Sequence, residues 1–316
     1  MLSYNGSGPY CYTHSLRMMI GPDAPPAAVV ETLTGAPFGV QLVGGTLPFF
    51  DPYGWDPETG LDEAVELLGL RCARSAGGTP AEALGRLRAA CAHGPVLAGP
   101  VDMGLLLYRP GTPVVDGGDH YVVVLAVEDD MVLLHDPEGH PYATLPTADF
   151  VAAWRAEAIA YSDMPFVMRT GFVREREVTG IQALRACPPR AVAWLTGRTD
   201  LPVPPGSLGG AAAVEALADQ VAEGLAPDVR TLLDAFVVRL GARRLNDAAH
   251  CLALLGLADC ATVAAGQSRI VGGLQLPLTT GDDRALEEGL RRLAPTYERL
   301  RTALAREAAE MLQPTP

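Results

Sequence analysis

Apolar positions set the first expectations. Between Cys11 and Ile20, residues Leu16, Met19 and Ile20 recur on one side of a 3.6-residue period, which predicts a short helix ended by Gly21-Pro22. Ala27–Leu33, Leu61–Leu68 and Pro80–Cys91 read as further helices, the last closed by His93-Gly94. The pattern then changes to short apolar runs, Pro95–Pro100 and Met103–Tyr108, which read as strands. His120–Val127 and Met131–His135 are strongly β-prone, and Glu128-Asp129-Asp130 between them fits a hairpin turn. Asp136-Pro137-Glu138-Gly139 ends the second of these strands, Asp149–Glu157 reads as helical, and Phe166–Arg174 as a last strand. After Glu177 the spacing turns helical over Thr179–Thr196, Ala211–Glu223, Asp228–Leu240, Asn246–Leu255 and Arg284–Leu312. The Pro- and Gly-rich stretch from Leu201 to Gly210 interrupts these helices. The expectation is an α+β domain over 1–177 followed by an all-helical domain over 178–316. Residues 35–60, rich in Gly, Pro and aromatics, are too long for an ordinary connection, and long ordered loops tend to be functional.

Composition narrows the function classes. The 316 residues leave room for about two domains. Hydrophobic residues at 48% and charged residues at 19% argue for packed globular structure. No apolar run approaches the ~18 residues of a membrane span, and the first residues carry no secretory pattern. Six cysteines, with no C-x-x-C spacing, suggest reduced thiols and a cytoplasmic location. All 24 basic residues other than histidine are Arg, so Schiff-base lysine chemistry and the P-loop lysine are excluded. A net charge of −13 argues against non-specific nucleic-acid binding. The charge is uneven: residues 1–177 carry −12 and residues 178–316 carry −1, so an acidic first half is expected to attract cationic small molecules.

Chemistry concentrates at three places. Cys11 stands at the start of a predicted helix, where unpaired N–H groups and the positive dipole end favour a nucleophilic thiolate; the alternative is a small buried hydrophobe. His120 opens one hairpin strand and Asp136 closes the next, so pairing would set them side by side. His120 would then act as base and acid for Cys11, and Asp136 would orient the imidazole. Asn5 lies six residues before Cys11 and fits either an oxyanion donor or a turn-forming Asn-Gly pair.

This order, Asn5, Cys11 on a helix, His120, then Asp136, resembles the papain-like cysteine enzymes. There a Gln upstream of the cysteine commonly supplies the oxyanion donor; here Asn5 stands instead. More specifically, the stretches Tyr10-Cys11-Tyr12-Thr13-His14-Ser15-Leu16-Arg17, Asp119-His120-Tyr121-Val122-Val123-Val124 and His135-Asp136-Pro137-Glu138-Gly139 resemble the butirosin biosynthesis protein H family. The loop through Trp55-Asp56-Pro57 and Gly60-Leu61-Asp62 is similar too. The resemblance covers about the first 175 residues. It implies a papain-like catalytic domain over 1–177, with a Cys-bearing helix against an antiparallel sheet, ahead of the helical domain. It also implies a cytoplasmic acyltransferase of specialised-metabolite biosynthesis. Such an enzyme moves an acyl group from a carrier-protein or other thioester donor, through an acyl-enzyme, to a small amine or hydroxyl acceptor, without cofactor or metal.

Other readings stand beside this one. The same triad would serve a peptidase or amidohydrolase, and a papain-like frame without catalysis would be a binding module. Tyr53 and Trp55, with Phe49 and Phe50, place the 35–60 loop either over the site as substrate-binding residues or in the core. His14 is a rival partner for Cys11, and Cys11, His14 and His120 would form a zinc site only with unusual ligand spacing. Arg239, Arg243 and Arg244, near an expected helix break, fit either phosphate or carrier-protein docking or a solvated face. Leucines at 286, 290, 293, 300 and 304 fit a core stripe or a homodimer seam.

Overall fold

The computed structural model describes residues 10–115 and 117–311. In chain order the helices are α1 (Cys11–Ile20), α2 (Ala27–Leu33), α3 (Pro57–Leu67), α4 (Pro80–Cys91), α5 (Thr147–Trp154), α6 (Gly180–Ala186) and α7 (Pro188–Thr196). They continue with α8 (Gly210–Gly224), α9 (Pro227–Leu232), α10 (Val238–Leu254), α11 (Ala258–Gly273), α12 (Gln275–Thr280) and α13 (Asp283–Met311). The strands are β1 (Gln41–Val43), β2 (Leu47–Phe49), β3 (Leu70–Ser75), β4 (Val96–Asp102), β5 (Asp119–Glu128), β6 (Met131–Asp136), β7 (His140–Pro146), β8 (Met168–Arg174) and β9 (Leu208–Gly209).

The chain is mixed α and β, with antiparallel sheets and a helical later region, and it divides into two compact units. One contains residues up to 27 and 69–177, the other 28–68 and the chain from 178 onward. The second unit resumes at 178, and residues 28–68 cluster with it and not with the six-stranded sheet. This also redistributes the charge. The stretch 28–68 holds seven acids and no Arg, so the unit with the six-stranded sheet carries 10 Arg against 15 acids, net −5, and the other carries 14 against 22, net −8. The unit with the six-stranded sheet is not the more acidic of the two.

In the first unit a sheet in the order β3-β8-β4-β5-β6-β7 carries the site. Val122 and Val124 of β5 and Val132 and Leu134 of β6 alternate onto one face. There they pack with Ala83 and Leu87 of α4 and Phe150, Ala153 and Trp154 of α5. Local signals explain α4: Thr79 and Glu82 close a reciprocal capping box and Pro80 occupies the first turn. Tyr121, of opposite parity, meets Tyr12 of α1 edge to face, with ring centroids 6.1 Å apart. Two expectations fail here. Residues 103–105 form a 3-10 turn and not a strand, because the chain folds back at Met103 to accommodate a long loop. The strand β7 was not foreseen, since its pattern, with one fully buried residue, marks an edge strand.

The second unit explains the fate of residues 28–68. β1 pairs with β2 and with β9, and Val40 and Phe50 join a core built from α8, α10 and α13. Gly241 of α10 is required for this fit, because a Cβ there would lie 2.5 Å from the Phe50 ring. Residues 227–254 form one helical run with a π-helical turn at Leu233–Val237, so the helix break expected near Arg243 and Arg244 does not exist. Leu286, Leu290, Leu293, Leu300 and Leu304 of α13 are all buried within the chain, which makes their stripe a core stripe.

Candidate active site

Cys11 occupies the first position of α1, and α1 is fixed to β5 through the main chain of Tyr121. β6 pairs with β5 only from Val123↔His135 onward, so Tyr121 lies beyond the β6 ladder. Ser15 Oγ donates to Tyr121 O at 3.0 Å. One turn earlier on the same helix face, the Cys11 sulfur meets the N–H of Tyr121. The carboxylate of Asp119 also acts on the sulfur. The sulfur is therefore bracketed by the residues on either side of His120.

His120 and Asp136 meet as the hairpin predicts. His120 Nε2 lies 2.8 Å from Asp136 Oδ1, and the two side chains are 1% and 0% exposed. Pairing to Asp136 commits Nε2, which leaves Nδ1 as the ring nitrogen available for proton transfer. Asp136 accepts three further hydrogen bonds: from the Glu138 N–H at 2.7 Å, Tyr108 Oη at 3.1 Å and Arg109 at 3.0 Å. Burial opposes its ionisation, but His120, the Glu138 N–H and Arg109 more than offset this and hold its carboxyl well below the usual range. Burial, together with the charge of Asp136, pushes the Tyr108 hydroxyl far up, so it remains a donor.

The sulfur behaves differently from the helix-terminus expectation. Burial, then the negative charges of Asp119 and Glu138, push the Cys11 thiol well up, against the lowering effect of the Tyr121 and Tyr12 N–H groups. Desolvation at 8% exposure works against the helix terminus at this sulfur.

The remaining expected site residues separate. Asn5 lies outside the described residues. Trp55 is 5% exposed in the second unit, where its indole N–H donates to Thr34 O at 2.8 Å and its ring packs on Gly60. Tyr53 is half-buried against Gly209 in that same unit. Both have packing roles within the second unit, whose core already claims Phe50. His14 is buried beside Tyr10. His135 accepts the Tyr142 N–H at 3.1 Å through Nδ1, and His140 is half-buried against Tyr108. Among the described residues no group of three or more His, Cys, Asp or Glu side chains is arranged to hold a metal. Arg244 is buried and paired with Glu31 and Asp51, which removes it from any docking surface. Tyr108 and Arg109 escaped the sequence reading because nothing in their spacing ties them to Asp136; Glu138, two residues after Asp136 in the same turn, was within reach of it.

No helix is long and apolar enough to cross a membrane among the described residues. In comparisons with known proteins, the uncharacterized protein YobF of Bacillus subtilis (strain 168) is 33% identical over 165 residues, 51% of this chain and 53% of that protein. The chain thus spans about half the length of this relative. Residues 204–305, which run from just before β9 into α13, match the family described as the YobF C-terminal domain, so the helical region of this chain is similar to that domain.

Proposed function

We propose that the protein is a cysteine-dependent acyltransferase with a papain-like arrangement of Cys11, His120 and Asp136. It would accept an acyl group from a carrier-protein or other thioester and pass it to a small amine or hydroxyl acceptor in specialised-metabolite biosynthesis, as the resemblance to the butirosin biosynthesis protein H family implies. The observation that carries the reading is the buried His120–Asp136 pair at 2.8 Å, directly beside the main-chain group that meets the Cys11 sulfur.

The steps follow from these contacts. His120 Nδ1 takes the Cys11 proton as the sulfur attacks the thioester carbonyl. The donor C–S bond breaks, and His120 returns the proton to the departing thiol. The acceptor then attacks the acyl-enzyme and gives its proton to His120, the bond from Cys11 to the acyl carbon breaks, and the sulfur regains a proton. Asp136 stabilises the imidazolium that forms in each half and fixes its tautomer. Water in place of the acceptor makes the same site a hydrolase. The upward-shifted Cys11 thiol favours a second reading, a non-catalytic frame in which Cys11 only packs.

Intact-protein mass spectrometry after incubation with candidate acyl thioesters tests the assignment. An adduct is expected on the wild type and absent from Cys11→Ala; an adduct that persists in the variant overturns it. Turnover that an added amine leaves unchanged favours hydrolysis. A Cys11 with iodoacetamide reactivity no greater than that of the other five cysteines favours the non-catalytic frame.

A further inference from the structure

Among the described residues, the second oxygen of Asp136 is held from one loop. Residues 103–118 leave the end of β4 and return to β5. Their ends are tied by the Met103 N–H to Gly118 O at 2.9 Å and the Val114 N–H to Gly104 O at 2.8 Å. Inside the loop, the Arg109 N–H donates to Leu106 O at 2.9 Å, and Thr112 Oγ1 donates to Arg109 O at 2.8 Å, which fixes the main chain at Arg109. From there the guanidinium forks, one nitrogen 3.0 Å from Asp136 Oδ2 and another 2.7 Å from Glu138 Oε2. Tyr108 reaches the same Oδ2.

Two consequences follow. A carboxylate held through one oxygen alone can turn about its final bond; with Oδ2 held by Arg109 and Tyr108, Oδ1 stays aimed at His120 Nε2. The charge balance also depends on Arg109. Asp136 and Glu138 contact it directly, and Asp119 lies nearby at the sulfur with its own donor, the Tyr161 hydroxyl at 2.8 Å. The neighbouring titratable groups include Cys11, His120, Tyr108 and His140, the last tilted against the Tyr108 ring.

We propose that Arg109 is a positioning residue for this site: it holds Asp136 against His120, keeps the imidazole aligned for Cys11, and balances the negative charge gathered around the pair. This rests on the reading above in one respect, that His120 serves Cys11.

The test is the rate of Cys11 carbamidomethylation by iodoacetamide across pH, followed by peptide mass spectrometry on the full chain. Melting temperature and far-UV circular dichroism monitor the fold. Arg109→Gln is expected to slow the reaction at neutral pH about tenfold and to move its midpoint up by about one pH unit, since loss of a cation raises the pKa of nearby acids. Arg109→Lys keeps the charge and loses the fork, so it restores the midpoint but not the full rate. Tyr108→Phe removes one donor without changing charge, so it slows the reaction with no shift in midpoint. A folded Arg109→Gln with wild-type rate and midpoint overturns the proposal, as does a slower rate that tracks a lower melting temperature with the midpoint unmoved. Where Arg109→Gln does not fold, wild-type rates in both Arg109→Lys and Tyr108→Phe overturn it. A His120→Ala variant that alkylates like the wild type overturns both this inference and the acyl-transfer reading. Alkylation that needs His120, in a protein that no thioester acylates, overturns only the latter.

Discussion

Each compact unit holds an arginine clamped between two carboxylates, and the two clamps differ in what surrounds them. In the first, Arg109 joins Asp136 and Glu138, and Asp136 also pairs with the His120 imidazole. Arg109 and Glu138 are 17% and 24% exposed there. In the second, Arg244 joins Glu31 at 2.8 Å and Asp51 at 3.1 Å, with the side chains 3%, 0% and 10% exposed. Its further partners include neutral groups. Gln41 donates to Asp51 at 2.7 Å, Arg244 donates to Phe50 O at 3.3 Å, and the Trp55 ring lies 5.2 Å from the guanidinium. The same charge motif therefore serves two ends. The Arg244 clamp fastens the 28–68 segment to α10. The Arg109 clamp holds the carboxylate that pairs with the His120 imidazole, and Arg109 and Glu138 themselves are partly exposed.

The largest expected contrast comes from Cys11→Ala. It should remove acyl-enzyme formation and lower turnover by about 10³-fold or more, while leaving the melting temperature close to the wild type. Arg244→Ala should do the reverse. It strands Glu31 and Asp51 in the core, and an unfolding titration should read a loss of about 3–5 kcal/mol, with Cys11 alkylation unchanged in the protein that remains folded. An effect on alkylation as large as that of Arg109→Gln would break the comparison.

Gly99→Ala should cost about 1–3 kcal/mol by overpacking, because its Cβ would lie 2.4 Å from the Tyr121 ring. Since Tyr121 anchors α1, this variant should also slow Cys11 alkylation, which separates it from a core lesion in the second unit. Asp119→Asn gives the smallest effect. Asp119 raises the Cys11 thiol, so its neutralisation lowers that pKa and should speed alkylation near pH 8 by about threefold, within the range of a nearby-charge effect.

The pH dependence of stability differs between Asp136 and Cys11. Asp136 has a depressed folded pKa, so its contribution is complete above the usual carboxylate value near ~4 and is lost as pH falls below it. Cys11 has a raised folded pKa, so its contribution is complete below the free-thiol value near ~8.5 and is lost as pH rises beyond it. Cys11→Ala should therefore flatten the alkaline side of a stability curve and leave the acid side intact.

Much of this was written locally. The spans of α1, α2 and α4, the β5–β6 hairpin and the closeness of His120 to Asp136 all follow from apolar periodicity, capping residues and a short turn, which act between neighbours in the chain. The pairing of Asp136 with Arg109 depends on a loop closing back over 27 positions, and no periodicity encodes such a contact. The place of residues 28–68 depends on which core buries Phe50 and neutralises Asp51, a choice made by α10 nearly 200 positions later. The upward push on the Cys11 thiol was illegible for the same reason: a helix terminus is visible in sequence, whereas desolvation and the charges of Asp119 and Glu138 exist only once the chain is packed. Local sequence thus determined the elements and the hairpin pair, because short-range sterics and hydrogen bonding fix them. Tertiary structure decided the unit boundaries, the partners of each charge and the surroundings of the Cys11 sulfur, because burial and electrostatics depend on what distant parts of the chain bring together.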